Sequence, residues 1–311
     1  MDSKSNIRLG YACISALRPD LKVNREIKMV TVNKFKTKKL LVAHLKELSL
    51  LNLRDTLEIL KENVKNNIYF YRMTSCLFPH MTNNLIKSSA SYFKCDMKFA
   101  APIIADIRSY ALQHKIRLTF HSQPYFHLES ADTNTFKQTL MELKMYNNFL
   151  DLLALPDMCI IVHVGKGYNS FIERYLSLRS YKRQNLMRYV VVENTEHNNN
   201  AELLLQLCEK HSIPYCFDFF HNSVHNTNIC KIDNQFILRC CKTWTNFGTP
   251  KFHVSNQKSG ARRGSHSDYI DIMPPELISF LKLQISIDIM FEVKMKDKAV
   301  LLAKKLLYVK N

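Results

Sequence analysis

A single (β/α)8 barrel spanning residues 1–311 is the fold class that this sequence predicts, and three observations predict it. Short β-rich runs recur eight times, helix-length segments with apolar residues at helical spacing separate them, and no Gly-, Ser- or Pro-rich tract divides the chain. Strict alternation of strand and helix calls for parallel strands, whose crossover helices cover the sheet from outside.

The eight runs follow in order. "RLGYACIS" (8–15), "NIYFYRMTSC" (67–76), "RLTFHSQPY" (117–125) and "MCIIVHVG" (158–165) make the first half. "YVVVENTE" (189–196), "IPYCFDFF" (213–220), "PKFHVSN" (250–256) and "SIDIMFEVK" (286–294) make the second. Each is rich in Val, Ile, Phe or Tyr and close to continuously apolar, as a strand covered on both faces must be. Between them 39–64, 96–115, 136–154, 170–187, 200–211 and 274–284 place Leu, Ile and Met at helical spacing among Lys and Glu, and 297–309 supplies a last helix. The basic stretch 19–39 is too long for an ordinary strand-to-helix turn and is expected as an insertion, either a substrate-facing loop or a plain surface addition. Segments 197–200 and 259–268 are expected as loops, and Gly165-Lys166-Gly167 lacks the spacing of a phosphate loop.

Composition bounds the function classes. With 46% hydrophobic residues the chain can bury a sizeable core and is not a disordered tail. Lys and Arg outnumber Asp and Glu by 44 to 27, a net charge of +17 that favours a polyanionic partner, nucleic acid first. Nine cysteines without a C-x-x-C pair suit buried thiols in a reducing, intracellular compartment. No apolar leader and no uninterrupted 18-residue apolar stretch argues for secretion or a membrane span.

In such a barrel the chemistry gathers at the C-terminal ends of the strands. Read there, the sequence offers His121, His163, Glu193, Asp218, His221, His253, His266 and Glu292. Any one of these histidines is more often a hydrogen-bonded core residue than a ligand. Together, five imidazoles and three carboxylates on one barrel face would repel and desolvate one another without divalent cations among them, and nitrogen and oxygen donors lacking thiolate suit Zn2+ or Mn2+. His225, four residues after His221, lacks the Glu of a zinc-protease pair and is expected in a loop.

Metals beside a basic surface point to phosphoester hydrolysis. Lys258, Arg262 and Arg263 are placed to contact phosphates, as are Lys166, Lys182 and Arg183, while Tyr11, Tyr125 and Phe126 are placed to stack on a base or wedge into a duplex.

The ordered set "RLGYACIS", "YRMTSCLFPH", "FHSQPY", "IIVHVG", "VVENTE", "FDFFH", "PKFHVS", "HSDYID" and "FEVKMKDKA" resembles the UV damage endonuclease family over residues 7–305. The resemblance implies a TIM barrel akin to deoxyribonuclease IV, with up to three divalent ions, Mn2+ first and Zn2+ or Mg2+ as alternatives. It implies nicking of damaged duplex DNA on the 5′ side of pyrimidine dimers, 6-4 photoproducts and other distorting lesions, leaving a 3′-hydroxyl. By motif it implies catalytic roles for Glu193, Glu292 and Lys251, the last matching a family lysine beside the metals that can carry a carboxylated amine. Tyr11 matches an aromatic near the lesion pocket, and Asp268 a support for the ligands. Where the family usually reads His-Pro-Gly-Gln-Tyr, this chain reads His121-Ser122-Gln123-Pro124-Tyr125, so Tyr125 keeps its place while Gln123 stands one position early. Ser15 occupies a position where Asn is common in the family. A monomer is expected. The competing readings are an abasic-site endonuclease of the deoxyribonuclease IV type, a sugar isomerase on the same barrel, and a damaged-DNA binding protein that does not cut.

Overall fold

A computed structural model describes residues 7–86, 88–123, 125–165, 167–180, 185–196, 200–224 and 231–308. Eight parallel strands form one sheet: β1 (Ile7–Ala12), β2 (Phe70–Arg72), β3 (Arg117–His121), β4 (Ile160–His163), β5 (Val190–Glu193), β6 (Tyr215–Cys216), β7 (Lys251–Val254) and β8 (Ile287–Phe291). Hydrogen-bonded neighbours run β6-β5-β4-β3-β2-β1-β8-β7. The last seam, between β6 and β7, is held by a parallel bridge from Asp218 to His253 and by the His253 N–H donating to the Phe217 carbonyl at 3.1 Å. The expected barrel is therefore formed and nearly closed, with strands shorter than the apolar runs that announced them.

Helices alternate with the strands outside the barrel: α1 (Met29–Val32), α2 (Lys38–Lys65), α3 (Ala101–Gln113), α4 (Thr133–Leu153), α5 (Tyr168–Ser180), α6 (Ala201–His211), α7 (Phe219–Val224), α8 (Asn234–Lys242), α9 (Pro275–Leu281) and α10 (Lys296–Tyr308). Their starts follow local chemistry. The Thr37, Asp132, Asn200 and Asp233 side chains accept the N–H groups of Leu40, Thr135, Leu203 and Phe236, satisfying donors that the helix itself leaves open. Along α4 the stripe Leu143, Tyr146, Phe149, Leu150 and Leu153 is buried, each Leu and Phe side chain contributing about 1.5–3 kcal/mol of burial.

One expectation gains detail and two change. The insertion 19–39 carries the short helix α1 and is anchored on α2, where Asn52 accepts the Arg25 N–H and Asp55 pairs with the Arg25 guanidinium at 2.8 Å. The strand expected over 213–220 stops at Cys216, because Asp218 caps a new helix, α7, through its own carboxylate. Helix α8 lies where no helix was expected.

Inside the barrel Cys159, Ile161, Val191, Cys216 and Trp244 fill one layer and Ala12, Phe70 and Met290 another. Gly10 is required beside them, since a Cβ there would stand 2.4 Å from the Phe70 carbonyl oxygen. No helix among the described residues is long and apolar enough to cross a membrane.

Candidate active site

Glu193, the last residue of β5, is fully buried at the centre of the barrel mouth. Its Oε2 lies 3.0 Å from His121 Nε2, at the end of β3, and 3.3 Å from His163 Nε2, at the end of β4. Its Oε1 lies 2.6 Å from His253 Nδ1, on β7. The Nδ1 of His121 is hydrogen bonded to the Ser122 carbonyl at 2.8 Å, which turns Nε2 toward Glu193.

Asp218 divides its two oxygens between structure and site. Oδ1 accepts the His221 N–H at 2.8 Å and caps α7, and Oδ2 is buried without a hydrogen-bond partner, 3.8 Å from both His253 Nδ1 and His221 Nε2. Its backbone is clamped by Asn194, which accepts the Asp218 N–H at 2.8 Å and donates to the Asp218 carbonyl at 2.9 Å. His221 therefore projects from the first turn of α7 and not from a strand end. Its Nδ1 is 2.9 Å from Glu196 Oε2. The imidazoles form a chain, with ring centroids 4.6 Å apart for His121 and His163, 5.3 Å for His163 and His221, and 6.2 Å for His221 and His266.

His266 and Glu292 complete the rim. His266 Nδ1 is 2.9 Å from the Ser255 hydroxyl, which itself donates to the Glu292 carbonyl at 2.9 Å. Glu292 Oε1 is 3.1 Å from His253 Nδ1 and receives the Arg72 guanidinium from the end of β2.

These groups shift one another. Burial works against the charge of Glu193, yet His253 and His163 hold its carboxyl well below the ordinary range. Burial, with the nearby Glu193 and Glu292 charges, pushes Asp218 up to about 7 against the pull of His221. Burial lowers His253 to about 4 and lowers His121 and His266 as well. For His221, burial is outweighed by Asp218 and Glu196, which raise it to about 10, and for His163 by Glu193, which raises it.

Two sets of donors can hold a metal ion, His121 with His163 and Glu193, and Glu193 with Asp218 and His253; within each set the donor atoms lie within 4.8 Å of one another, and Glu193 belongs to both. Asp218 Oδ2, His163 Nε2 and His253 Nε2 are buried with no hydrogen-bond partner. Orphaned buried polar atoms are costly; a divalent cation in the Glu193, Asp218 and His253 set would answer Asp218 Oδ2, as one in the His121, His163 and Glu193 set would answer His163 Nε2. The residues present therefore fit the ion that nitrogen and oxygen donors without thiolate prefer.

Lys251 stands inside the barrel, two residues before His253 and fully buried. Its ammonium reaches Thr119 Oγ1 at 3.3 Å and lies 5.6 Å from the centre of the Phe70 ring, and burial lowers its basicity.

Tyr125 is 71% exposed, and Gln123, half-buried, reaches the Ser75 carbonyl at 3.5 Å. Both line a cavity of about 770 Å3, with Glu142 at its inner wall. Arg262 and Arg263 are exposed on the loop after β7, and Lys258 is held there by both oxygens of Asp268 at 3.0 Å. Asp268 thus serves Lys258 and touches no candidate ligand with its carboxylate.

Tyr11 is a correction. It is completely buried between the barrel and α2, its hydroxyl donating to Asn63 Oδ1 at 2.7 Å, and so presents no ring to DNA. Its neighbour Gly10 has the inward position on β1, and alternation sends Tyr11 outward. Phe126 is likewise core, 4% exposed. Lys166, Lys182, Arg183 and His225 lie outside the described residues. Arg72, Asn194 and Glu196 escaped the sequence reading. The signal for Arg72 is present in the sequence, a cation at the end of a strand run.

A family profile described as UV-endonuclease UvdE matches residues 7–310. A chain of Acanthamoeba polyphaga mimivirus, provisionally named a UV-damage endonuclease, is 34% identical over 305 residues, 95% of this chain and 89% of that one. The UV DNA damage endonuclease of Bacillus mycoides (strain KBAB4) is 28% identical over 261 residues, 81% of this chain and 80% of its own length. The crystal structure of SacUVDE superposes with a TM-score of 0.79 at 25% identity, covering 98% of this chain and 99% of that one. Endonuclease IV from Thermus thermophilus, at 14% identity and a TM-score of 0.53 over 81% of this chain and 94% of its own, shares the fold.

Proposed function

This chain belongs to the UvdE family of UV-endonucleases and is a DNA repair nuclease, and from that premise we propose that it nicks damaged duplex DNA on the 5′ side of cyclobutane dimers and 6-4 photoproducts, leaving a 3′-hydroxyl. The observation that carries this reading is Glu193, one carboxylate shared by two donor sets at the barrel mouth. His121, His163, Glu193, Asp218, His221, His253, His266 and Glu292 are the proposed ligands, for Mn2+ first and Zn2+ or Mg2+ as alternatives. Divalent ions held there would supply the Lewis acidity that activates water and offsets charge on the departing oxygen.

The chain's own residues do the rest. Glu193 brings a negative charge that His253 and His163 keep ionised in spite of burial, and Asp218, pushed up to about 7, adds a second when it gives up its proton. Arg72 fixes the Glu292 carboxylate by a charge-assisted hydrogen bond. Lys251, buried with no carboxylate partner among the described residues and made less basic by burial, is the lysine proposed to carry a carboxylated amine beneath the ligands. Exposed Arg262, Arg263 and Lys258 supply phosphate contacts, which set position and not sequence, and Tyr125 with Gln123 probes the distorted stack. The enzyme acts as a single-domain monomer inside the cell.

The test is incision of one end-labelled duplex in three versions, with a cyclobutane dimer, an abasic site or no lesion, in Mn2+ and in chelator. A metal-dependent nick 5′ of the dimer is expected. Cleavage confined to the abasic duplex would replace this reading with an abasic-site endonuclease, and binding without incision would replace it with a damage-recognition protein.

A further inference from the structure

Where β1, β2 and β8 end, the barrel mouth opens a second cleft of about 370 Å3, lined by Arg72, Ser265, His266, Glu292, Lys294 and Lys296. Its size lies within the range of about 300–1,000 Å3 usual for ligand sites. Two charges at or beside it are already matched. The Arg72 guanidinium, with 12% of its side chain exposed, is committed to Glu292. The carboxylate of Asp297, next to Lys296 in sequence, receives the Ser15 hydroxyl and the backbone N–H groups of Ala16 and Leu17.

Lys296 is different. It is half-buried at the start of α10, and among the described residues its ammonium has neither a hydrogen-bond partner nor an ion pair. Its backbone has φ +48°, the left-handed region that costs a side-chain-bearing residue about 1–2 kcal/mol. Neighbouring bonds hold it there, with the N–H groups of Lys294 and Met295 donating to the carbonyls of Ser267 and Asp268. Glu292 and Asp297 attract this cation from a distance, but both carboxylates are engaged elsewhere, by Arg72 and by Ser15, Ala16 and Leu17; a cation held in a sparsely populated conformation, partly desolvated and in contact with neither, at an open cleft beside candidate metal ligands, is suited to an anion from outside.

We propose that this cleft is a phosphate subsite in which Lys296 contacts one DNA backbone phosphate flanking the bond that is cut, while Arg72 is a positioning residue acting through Glu292. The proposal rests on the nuclease reading above and adds to it a named backbone contact. A phosphate seated on Lys296 fixes the register of the strand relative to Glu292 and His266, and so selects which phosphodiester is presented to the ligands.

Methylphosphonate scanning tests this. Dimer-containing duplexes carry one neutral methylphosphonate at a time at phosphates flanking the cut, and kcat/KM for nicking in Mn2+ is measured for the unaltered enzyme, Lys296→Met and Lys296→Arg. One position is expected to cost the unaltered enzyme about tenfold, as loss of a charged hydrogen bond does. Lys296→Met should lose about tenfold on the unmodified duplex and nothing further at that position, with its salt slope reduced by about one. Lys296→Arg should keep most of the rate. An unimpaired Lys296→Met, a Lys296→Met that still loses the full factor at every position, or a Lys296→Arg as damaged as Lys296→Met, would overturn the subsite while nicking by the unaltered enzyme upheld the nuclease reading. Failure of the unaltered enzyme to nick the dimer duplex would overturn both.

Discussion

Two buried clusters of charge occupy opposite ends of this barrel, and they are built to different rules. At the N-terminal end Asp288 receives Arg8 at 2.6 and 2.8 Å and Arg117 at 2.5 Å, and Arg117 donates further to the carbonyls of Asp157 at 2.9 Å and Thr249 at 2.8 Å. The one Arg117 nitrogen left without a bond, Nη2, belongs to a guanidinium 5.6 Å from the ring centres of Phe70 and Trp244. At the C-terminal end Glu193, Asp218 and His253 are equally buried, yet Asp218 Oδ2 and His253 Nε2 are unpaired and the carboxylates crowd one another. Burial of charge therefore does not distinguish function from scaffold. What distinguishes them is whether the carboxylate is satisfied: both oxygens of Asp288 are taken by arginine, and Asp218 Oδ2 is taken by nothing among the described residues.

The sharpest way to break this comparison is to substitute one carboxylate from each cluster. Glu193→Gln should lower incision by at least about a thousandfold while leaving DNA affinity within about threefold, because phosphate contacts dominate binding. A gel shift showing affinity lost alongside cutting would contradict that division, and Glu292→Gln should behave in the same way. Asp288→Asn should do the opposite, costing about 3–5 kcal/mol in urea unfolding because it strands two arginines, with incision per folded molecule unchanged.

Glu142 supplies an intermediate case, a carboxyl 2% exposed whose Oε2 has no partner and which burial pushes up to about 7. Its folded value lies above its unfolded one, so the native state keeps a proton that the unfolded chain releases. Stability should be greatest below the ordinary carboxylate range and should fall by about 2–3 kcal/mol as pH rises to about 7. Glu142→Gln should remove that slope, making the variant the more stable protein at pH 8 and little different at pH 4, as read from unfolding at the two pH values. The smallest expected effect is at the rim: Tyr125→Ala should reduce preference for damaged over intact duplex about fivefold, within the worth of one aromatic–base stack. Equal losses on both duplexes would remove the wedge role.

The strand-ending ligand types were legible because chemistry restricts them: an acid or imidazole closing an apolar run stands out at once, and His121, His163 and Glu193 did. Helix α8 was missed because its buried stripe is only Phe236, Ile237, Cys240 and Cys241, too short and too rich in cysteine for periodicity to announce. Tyr11 was misplaced because proximity to a strand end says nothing about which face a side chain takes.

Local spacing, then, determined the alternation of strand and helix, the barrel class, the basic surface and the donor types at the mouth, since each depends on residues near one another in sequence. Only the closed barrel decided that Arg8 would meet Asp288 across 280 positions, that Arg72 would hold Glu292, and that Asp218 would be left with one oxygen unclaimed. Which buried charges are neutralised depends on which strand ends come together. That is a property of closure and parity, and no window of sequence contains it.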